Sequence, residues 1–203
     1  MTAAAAADAP AVEVVELVGN PRVGSRTRAL ADLVVRSLGE TVAADGRGAP
    51  DGIRLGVPVV IELGEAVGVT FGARVARASA PVEDPFGVVR RARLLVVATP
   101  TYKATYSGLL KLFLDQLSQG DLAGVVAVPV AIAGAPAHRD AVAAALRDLL
   151  VELGADVPAP AVALLESEVA DQEEHVSRWV GTYAAALGLG SPAEPVRAGA
   201  PTR

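Results

Sequence analysis

The chain has 203 residues, with 18 Lys+Arg against 23 Asp+Glu, a formal net charge of -5 and no cysteine; the length fits one α/β-sized domain, and the missing thiols exclude disulfide frameworks, thiolate zinc sites, iron–sulfur ligation and any cysteine nucleophile. Two histidines, His138 and His175, leave little from which to build a histidine-rich metal centre, and an acidic balance with 3% aromatic content is the wrong surface for nucleic acid, which needs a basic stripe or a stacking platform. The 52% hydrophobic content is largely alanine and valine, and its longest run, 122–137, carries two prolines and falls short of the roughly 20 residues that span a bilayer, so the expectation is a cytoplasmic chain with small-molecule partners, no membrane and no nucleic acid.

Residues 1–11 are Ala-rich and lack the basic start and leucine-rich core of a secretion signal; a disordered tail is expected there. Residues 12–18 are valine-rich and end at Gly19, which predicts a first strand buried on both faces. Through 26–38, Leu30, Leu33, Val34 and Leu38 recur at helical spacing, predicting a helix laid on the sheet, and the Gly/Pro/Asp-rich 39–51 predicts a loop. A second strand is expected over 53–63, with Pro58 demoting it to an edge. A short helix over 84–93 feeds a strand at 94–98, the strongest strand signal of the chain. In 107–117, leucines and Phe113 surround most of the circumference of a helix, implying burial against both sheet and neighbour. A strand is expected over 125–132, then a helix over 138–153 whose Val142, Leu146, Leu149, Leu150 and Leu153 share one face and which stops at Gly154. A last strand over 161–165 and an amphipathic helix marked by Val176, Val180, Tyr183 and Leu187 precede a Gly/Pro tail at 189–203, also expected to be disordered.

Five strands alternating with five or six helices predict an α/β three-layer sandwich, because parallel strands need crossover helices on both faces. No repeat of fixed period is present, and one domain over 12–188 is expected. Five strands suit the flavodoxin-like parallel order 2-1-3-4-5 better than a six-stranded dinucleotide fold, and a ligand then sits outside the strand ends where the order reverses. In this chain those ends are Gly19, Thr99 and Ala133 onward.

The first of the three loops, 19–27, joins a buried strand to a helix start, so free backbone N–H groups, the Asn20, Ser25 and Thr27 side chains and Arg22 converge where a helix dipole favours an anion. Hydrogen bonds to a charged group contribute roughly 1.5–3 kcal/mol each against about 0.3–1 kcal/mol for the dipole, so the donors dominate binding of a phosphate monoester. A dinucleotide fingerprint fails because Pro21 holds its second glycine position, and a nucleoside-triphosphate loop fails because Ser25 stands where its lysine belongs. Nor does the chain carry the strand-end carboxylates of a phosphoacceptor: Val18-Gly19 and Thr99-Pro100 occupy those places. An ordinary capped turn with no ligand is the alternative.

The second loop, 100–108, gathers two of the three tyrosines, Tyr102 and Tyr106, and Lys103, while Lys111, the other lysine, follows shortly after. It reads either as chance in an Arg-biased composition or as a wall for a planar ring, apolar at Tyr102 and positive at Lys103. The third loop, 133–138, is rich in small residues, so a flat ligand can approach its backbone at Gly134. His138 sits at a helix start with no Ser/Asp pairing in view, and His175 lies beside the acidic stretch 166–174, which reads as surface.

Together 19–27, 99–111 and Ala133-Gly134 resemble the NAD(P)H-dependent FMN reductase family of flavodoxin-like proteins, closest to the branch serving two-component flavin monooxygenases such as those of alkanesulfonate use, through a Tyr-Lys-Ala, Tyr-Ser-Gly and Lys pattern in the second loop. The resemblance covers 12 to about 155. It implies that Asn20, Arg22, Ser25 and Thr27 hold the FMN phosphate, that Pro100, Thr101, Tyr102 and Lys103 line the ribityl chain and ring, that Ser107 lies near the phosphate, and that Gly134 meets the ring edge. Tyr106 matches an aromatic linked in that branch to oligomer packing, so a homodimer or homotetramer is implied. Asn20 stands where that motif often has serine, and Ala133-Gly134-Ala135 where the branch often reads Thr-Gly-Gly. The implied reaction is reduction of FMN by NADPH or NADH, supplying reduced flavin to a partner monooxygenase, with no metal and no catalytic side chain because the flavin carries the chemistry. The alternatives are a flavoprotein that keeps FMN and reduces quinones, azo compounds or metal ions, and a non-enzymatic flavin electron carrier.

Overall fold

A computed structural model describes residues 14–44, 55–66 and 84–188; both expected tails, residues 45–51 of the expected loop and the start of the expected second strand lie outside these. Five parallel strands, β1 (Val14–Val18), β2 (Val59–Glu62), β3 (Leu94–Pro100), β4 (Val126–Ala133) and β5 (Val162–Leu165), form one sheet in the order β2-β1-β3-β4-β5, the flavodoxin-like arrangement expected from the sequence. One face carries α1 (Arg26–Ala44) and α6 (Gln172–Tyr183); the other carries α3 (Pro85–Arg90), α4 (Gly108–Leu114) and α5 (Pro136–Glu152). A single turn, α2 (Leu63–Ala66), follows β2, and short 3-10 segments occupy Glu166–Asp171 and Ala184–Leu187.

The two-residue period of the strands sorts the core. Val14 and Val18 of β1 pack with Leu30, Val34 and Leu38 of α1, whereas Val15 and Leu17 face Leu110 and Phe113 of α4 and Leu146 and Leu150 of α5. Each such leucine, when fully buried, contributes roughly 1.5–3 kcal/mol, so α1 is held by its apolar face rather than by intrinsic propensity.

That balance explains where the boundaries differ from expectation. The helix expected to end at Leu38 runs on to Ala44: Gly39 costs about 1 kcal/mol in a helix, but Leu55 packs against the same cluster and the Thr41 hydroxyl donates to the Ser37 carbonyl at 3.0 Å. The strand expected from 53 starts only at Val59, directly after Pro58, which has no N–H to give, and it pairs with β1 alone, at the sheet edge. α4 stops at Leu114, not 117, because Gln116 and Leu117 donate to the carbonyls three residues back and tighten the exit. α5 begins at Pro136, two residues earlier than expected, since proline at the first helical turn has no orphan donor.

Pro129 lies inside β4, opposite Val97 of β3. The Ala127 N–H reaches across to Asp156 O at 2.7 Å, so two residues on, position 129 faces the same side. There the ladder is open: pairing with β5 begins at Val130–Val162, and the stretch 157–161 spans the interval. The Trp179 indole N–H donates to the Pro160 carbonyl at 3.0 Å across it.

Candidate functional site

β1 ends where the Gly19 N–H donates to the Ala98 carbonyl at 2.7 Å. A Cβ at Gly19 would lie 2.6 Å from Leu110 Cβ, so only glycine lets the loop pass this close to α4. Asn20 then shapes the turn: its Oδ1 accepts from the Arg22 N–H at 2.9 Å and its Nδ2 donates to Thr27 Oγ1 at 3.2 Å. Ser25 starts α1 by accepting the Arg28 N–H on Oγ at 3.3 Å. Asn20, Ser25 and Thr27 are buried by these bonds, and Arg22 is left exposed at the tip.

The end of β3 is fastened to the same loop. Thr99 Oγ1 accepts the Ser107 N–H at 3.0 Å; the Ser107 hydroxyl donates to the Gly19 carbonyl and accepts the Leu110 N–H at 3.1 Å as the cap of α4. Tyr102 and Thr105 exchange backbone hydrogen bonds of 2.9 and 3.3 Å across a two-residue turn, with Lys103 and Ala104 at φ 52° and 68°. Left-handed backbone costs a non-glycine residue about 1–2 kcal/mol, so this tip is held under strain by its surroundings. The Thr101 N–H donates to the Ile132 carbonyl at 2.9 Å and ties β3 to the exit of β4.

These three exits enclose a cleft of about 440 Å³. Asn20, Arg22, Ser25 and Thr27 from the first loop, Pro100, Thr101 and Tyr102 from the second and Gly134 from the third all line it. Lys103 is exposed and Ser107 almost fully buried, and neither is among the lining residues; Ser107 stands behind the cleft as the tie between β1 and α4. Thr101, a residue of the cleft wall, has its Oγ1 buried without a hydrogen-bond partner among the described residues, an unpaired polar atom that native structures rarely leave. Arg26 and Glu166 also line the cleft, joined at 2.8 Å. Neither was among the site residues expected from the sequence, although Arg26 lies in the first loop and Glu166 directly follows β5. His138 is exposed in the first turn of α5, away from the lining. A larger groove of about 580 Å³ runs between α1 and α6 past Arg36, Glu40 and Glu173 and contains none of the expected site residues.

A charge cluster lies beneath the first loop. Glu16, in the middle of β1, is fully buried, with neither carboxyl oxygen in a hydrogen bond of ordinary geometry. Arg28 Nε stands 3.5 Å from it and also meets Asp32 at 2.7 Å, while Arg28 reaches Glu62 at 3.6 Å. Both Glu62 oxygens lie 3.4 Å from the Gly24 N–H of the loop. Burial pushes the Glu16 carboxyl up to about 8; Asp32 adds to the rise as a proton-sharing neighbour and as a negative charge, Arg28 opposes it, and Glu62 adds a little more.

A family model described as NADPH-dependent FMN reductase matches residues 12–169. The chain is similar to the FMN reductase (NADPH) of Escherichia coli (strain K12), 46% identical over 77 residues, which are 38% of this chain and 40% of that protein; the match thus spans less than half of that relative's length. It is also similar to the NADH-dependent FMN reductase SfnE of Pseudomonas putida, 30% identical over 162 residues, covering 79% of this chain and 80% of that protein. Among solved structures, an apo NADH:FMN oxidoreductase superposes with a TM-score of 0.63 at 25% identity, covering 89% of this chain and 96% of that one.

Proposed function

Because the chain belongs to the NADPH-dependent FMN reductase family, we propose that it reduces FMN at the expense of NADPH or NADH, with the 440 Å³ cleft as the flavin site. One observation carries the reading: a loop whose backbone and Arg22 suit a phosphate monoester shares a single cleft with the orphaned Thr101 hydroxyl and the exposed face of Tyr102. The residue types fit FMN in order along the cleft. Arg22, Ser25 and Thr27 hold the phosphate, with Asn20 keeping their loop in shape; Pro100, Thr101 and Tyr102 run along the ribityl chain and ring, and Gly134 lets the ring edge approach the backbone. Lys103, on its strained turn, adds positive potential at the rim, and Ser107 supports the phosphate loop from behind.

When bound, FMN supplies the redox chemistry, taking a hydride from the nicotinamide and passing its electrons on. The protein's share is to bind, to orient and to leave one side of the ring open. The open rim and the small residues at 133–135 suit a flavin that exchanges with solvent, and we place delivery of reduced FMN to a flavin-dependent monooxygenase as the use of that product. Tyr106 and Leu112, beside and on α4 and only partly buried, offer the apolar surface on which a second copy would pack.

Anaerobic NADPH oxidation with and without added FMN, with the visible spectrum of the purified protein, tests the activity; no FMN-dependent oxidation with either nucleotide removes it. For the site, Arg22→Ala weakens FMN binding about tenfold or more, the value of one charge-assisted contact, and leaves riboflavin binding nearly unchanged. Equal losses for the two flavins would take the phosphate away from Arg22.

A further inference from the structure

The loop that grips the anion in this reading is itself gripped from the β2 side. Gly64, at the start of α2, has no side chain because a Cβ there would lie 2.8 Å from the Pro21 carbonyl oxygen and 2.9 Å from that of Asn20. Two residues earlier, at the end of β2, Glu62 offers both oxygens to the Gly24 N–H, at a long 3.4 Å, and Gly24 itself sits at φ 61°. Glu62 is 8% exposed and has Arg28 as its counter-ion, and Arg28 is shared with Asp32 and Glu16. Three carboxylates therefore surround one guanidinium, and Glu16 is the one with no access to water.

We propose that Arg28 and Glu62 are positioning residues for the anion loop and that Glu16 carries the proton that sets their charge, so that affinity for the phosphate end of the ligand falls as pH rises above neutrality. The proposal deepens the flavin reading and rests on it for the identity of the anion.

Three charged groups among the described residues act on Glu16. From α1 come Arg28 and Asp32, and from β2 comes Glu62; its register partners on the flanking strands are Val60 and Val96. While Glu16 keeps its proton, Arg28 is free to compensate Asp32 and Glu62, and Glu62 can hold Gly24 without presenting a bare charge to the loop. Ionisation of Glu16 adds a negative charge in the driest position of the cluster, where attraction for the shared guanidinium is strongest because the local dielectric is lowest. Arg28 is drawn inward, Glu62 loses compensation, and the loop gains negative potential on its inner side. A dianion on the outer side is repelled by both changes. The raised affinity of Glu16 for its proton, to about 8, puts this transition where the flavin phosphate, whose second ionisation lies near pH 6, no longer titrates.

The test is fluorescence-quenching titration of the whole chain with FMN and with riboflavin from about pH 7 to about pH 9.5, spanning the raised carboxyl. The two flavins share the ring, so ring ionisation cancels in the ratio of their affinities. The wild-type ratio is expected to fall about fivefold to tenfold across this range, Glu16→Gln to remove the pH dependence, and Asp32→Asn, on a part-exposed side chain, to move the midpoint to lower pH. A flat wild-type ratio, or a profile that neither substitution alters, overturns the proposal. If FMN binds at no pH, the flavin reading falls, and the Gly24 ¹³Cα resonance of the ligand-free protein decides this one. A titration step in the wild type that Asp32→Asn displaces sustains it; no step overturns it.

Discussion

Replacing Glu16 by glutamine should change how stability depends on pH more than it changes stability at any acidic pH. The carboxyl pKa is raised from 4.5 to about 8 by burial first and by Asp32 second. Below the lower value, folded and unfolded chains both carry the proton. As pH rises, the unfolded chain releases it first, and the folded state, still protonated, loses about 1.4 kcal/mol of stability per pH unit until Glu16 ionises in place. The favourable contribution is thus fully present below the unfolded pKa and gone above the folded one. Across the whole window the loss amounts to about 5 kcal/mol, and at neutral pH to about 3 kcal/mol, against total stabilities of roughly 5–15 kcal/mol for single domains. Glutamine fills the same space and has no proton to release. Urea unfolding of wild type and Glu16→Gln at steps from about pH 4.5 to about pH 9, with the two free energies subtracted, isolates this group and the charges coupled to it because distant groups cancel. The variant should gain steadily on the wild type with rising pH, by several kcal/mol. A difference that stays constant within about 0.5 kcal/mol would show that Glu16 is ionised throughout, and the reasoning on the buried cluster would fail with it.

Ser107→Ala removes both the cap of α4 and the donor to the Gly19 carbonyl, both buried, and should cost about 2–4 kcal/mol in a denaturant midpoint measured at constant slope. Gly64→Ala forces backbone of the first loop to move and should lower FMN affinity at least fivefold with about 1–3 kcal/mol of destabilisation; isothermal titration and thermal unfolding read the two. The Arg26–Glu166 pair is about 60% exposed on both sides, so Glu166→Gln should leave stability within about 0.5 kcal/mol while freeing Arg26 at the cleft and tightening FMN binding severalfold at low salt, an effect that salt should erase.

The strand order was readable because most strands are short β-branched runs with their own stops, and because Pro58 flags β2 as one of the two edge strands, the other being β5. What sequence misjudged were helix ends: Gly39 and the 115–117 turn are decided by tertiary contacts and by which carbonyls remain free, neither visible in local composition. Within the cleft, counting strand ends located the three loops that converge, and the resemblance singled out Asn20, Arg22, Ser25, Thr27, Pro100, Thr101, Tyr102 and Gly134 within them. The same counting applied to β5 would have found Glu166. Ser107 carries the right chemistry for a ligand, yet its hydroxyl is used by the backbone, a distinction that spacing alone does not make. The cluster under the loop was invisible for a different reason. Glu16 looks like one acid in a valine strand, and its partners sit 12, 16 and 46 residues further along the chain, adjacent only once β1 and β2 are paired and α1 is laid over them.

Pro129 has a consequence for motion. Between the Asp156 bridge and the first β5 rung, β4 offers no donor, and β5 is secured by four register pairs, Val130–Val162 through Ala133–Leu165. Opening β5 with α6 therefore sacrifices few amide bonds, whereas opening β1, β3 or β4 dismantles the whole middle of the sheet. Deuterium should enter the amides of the last strand and last helix well before those of β1 and β3, so that the molecule breathes from the β5 edge of its sheet.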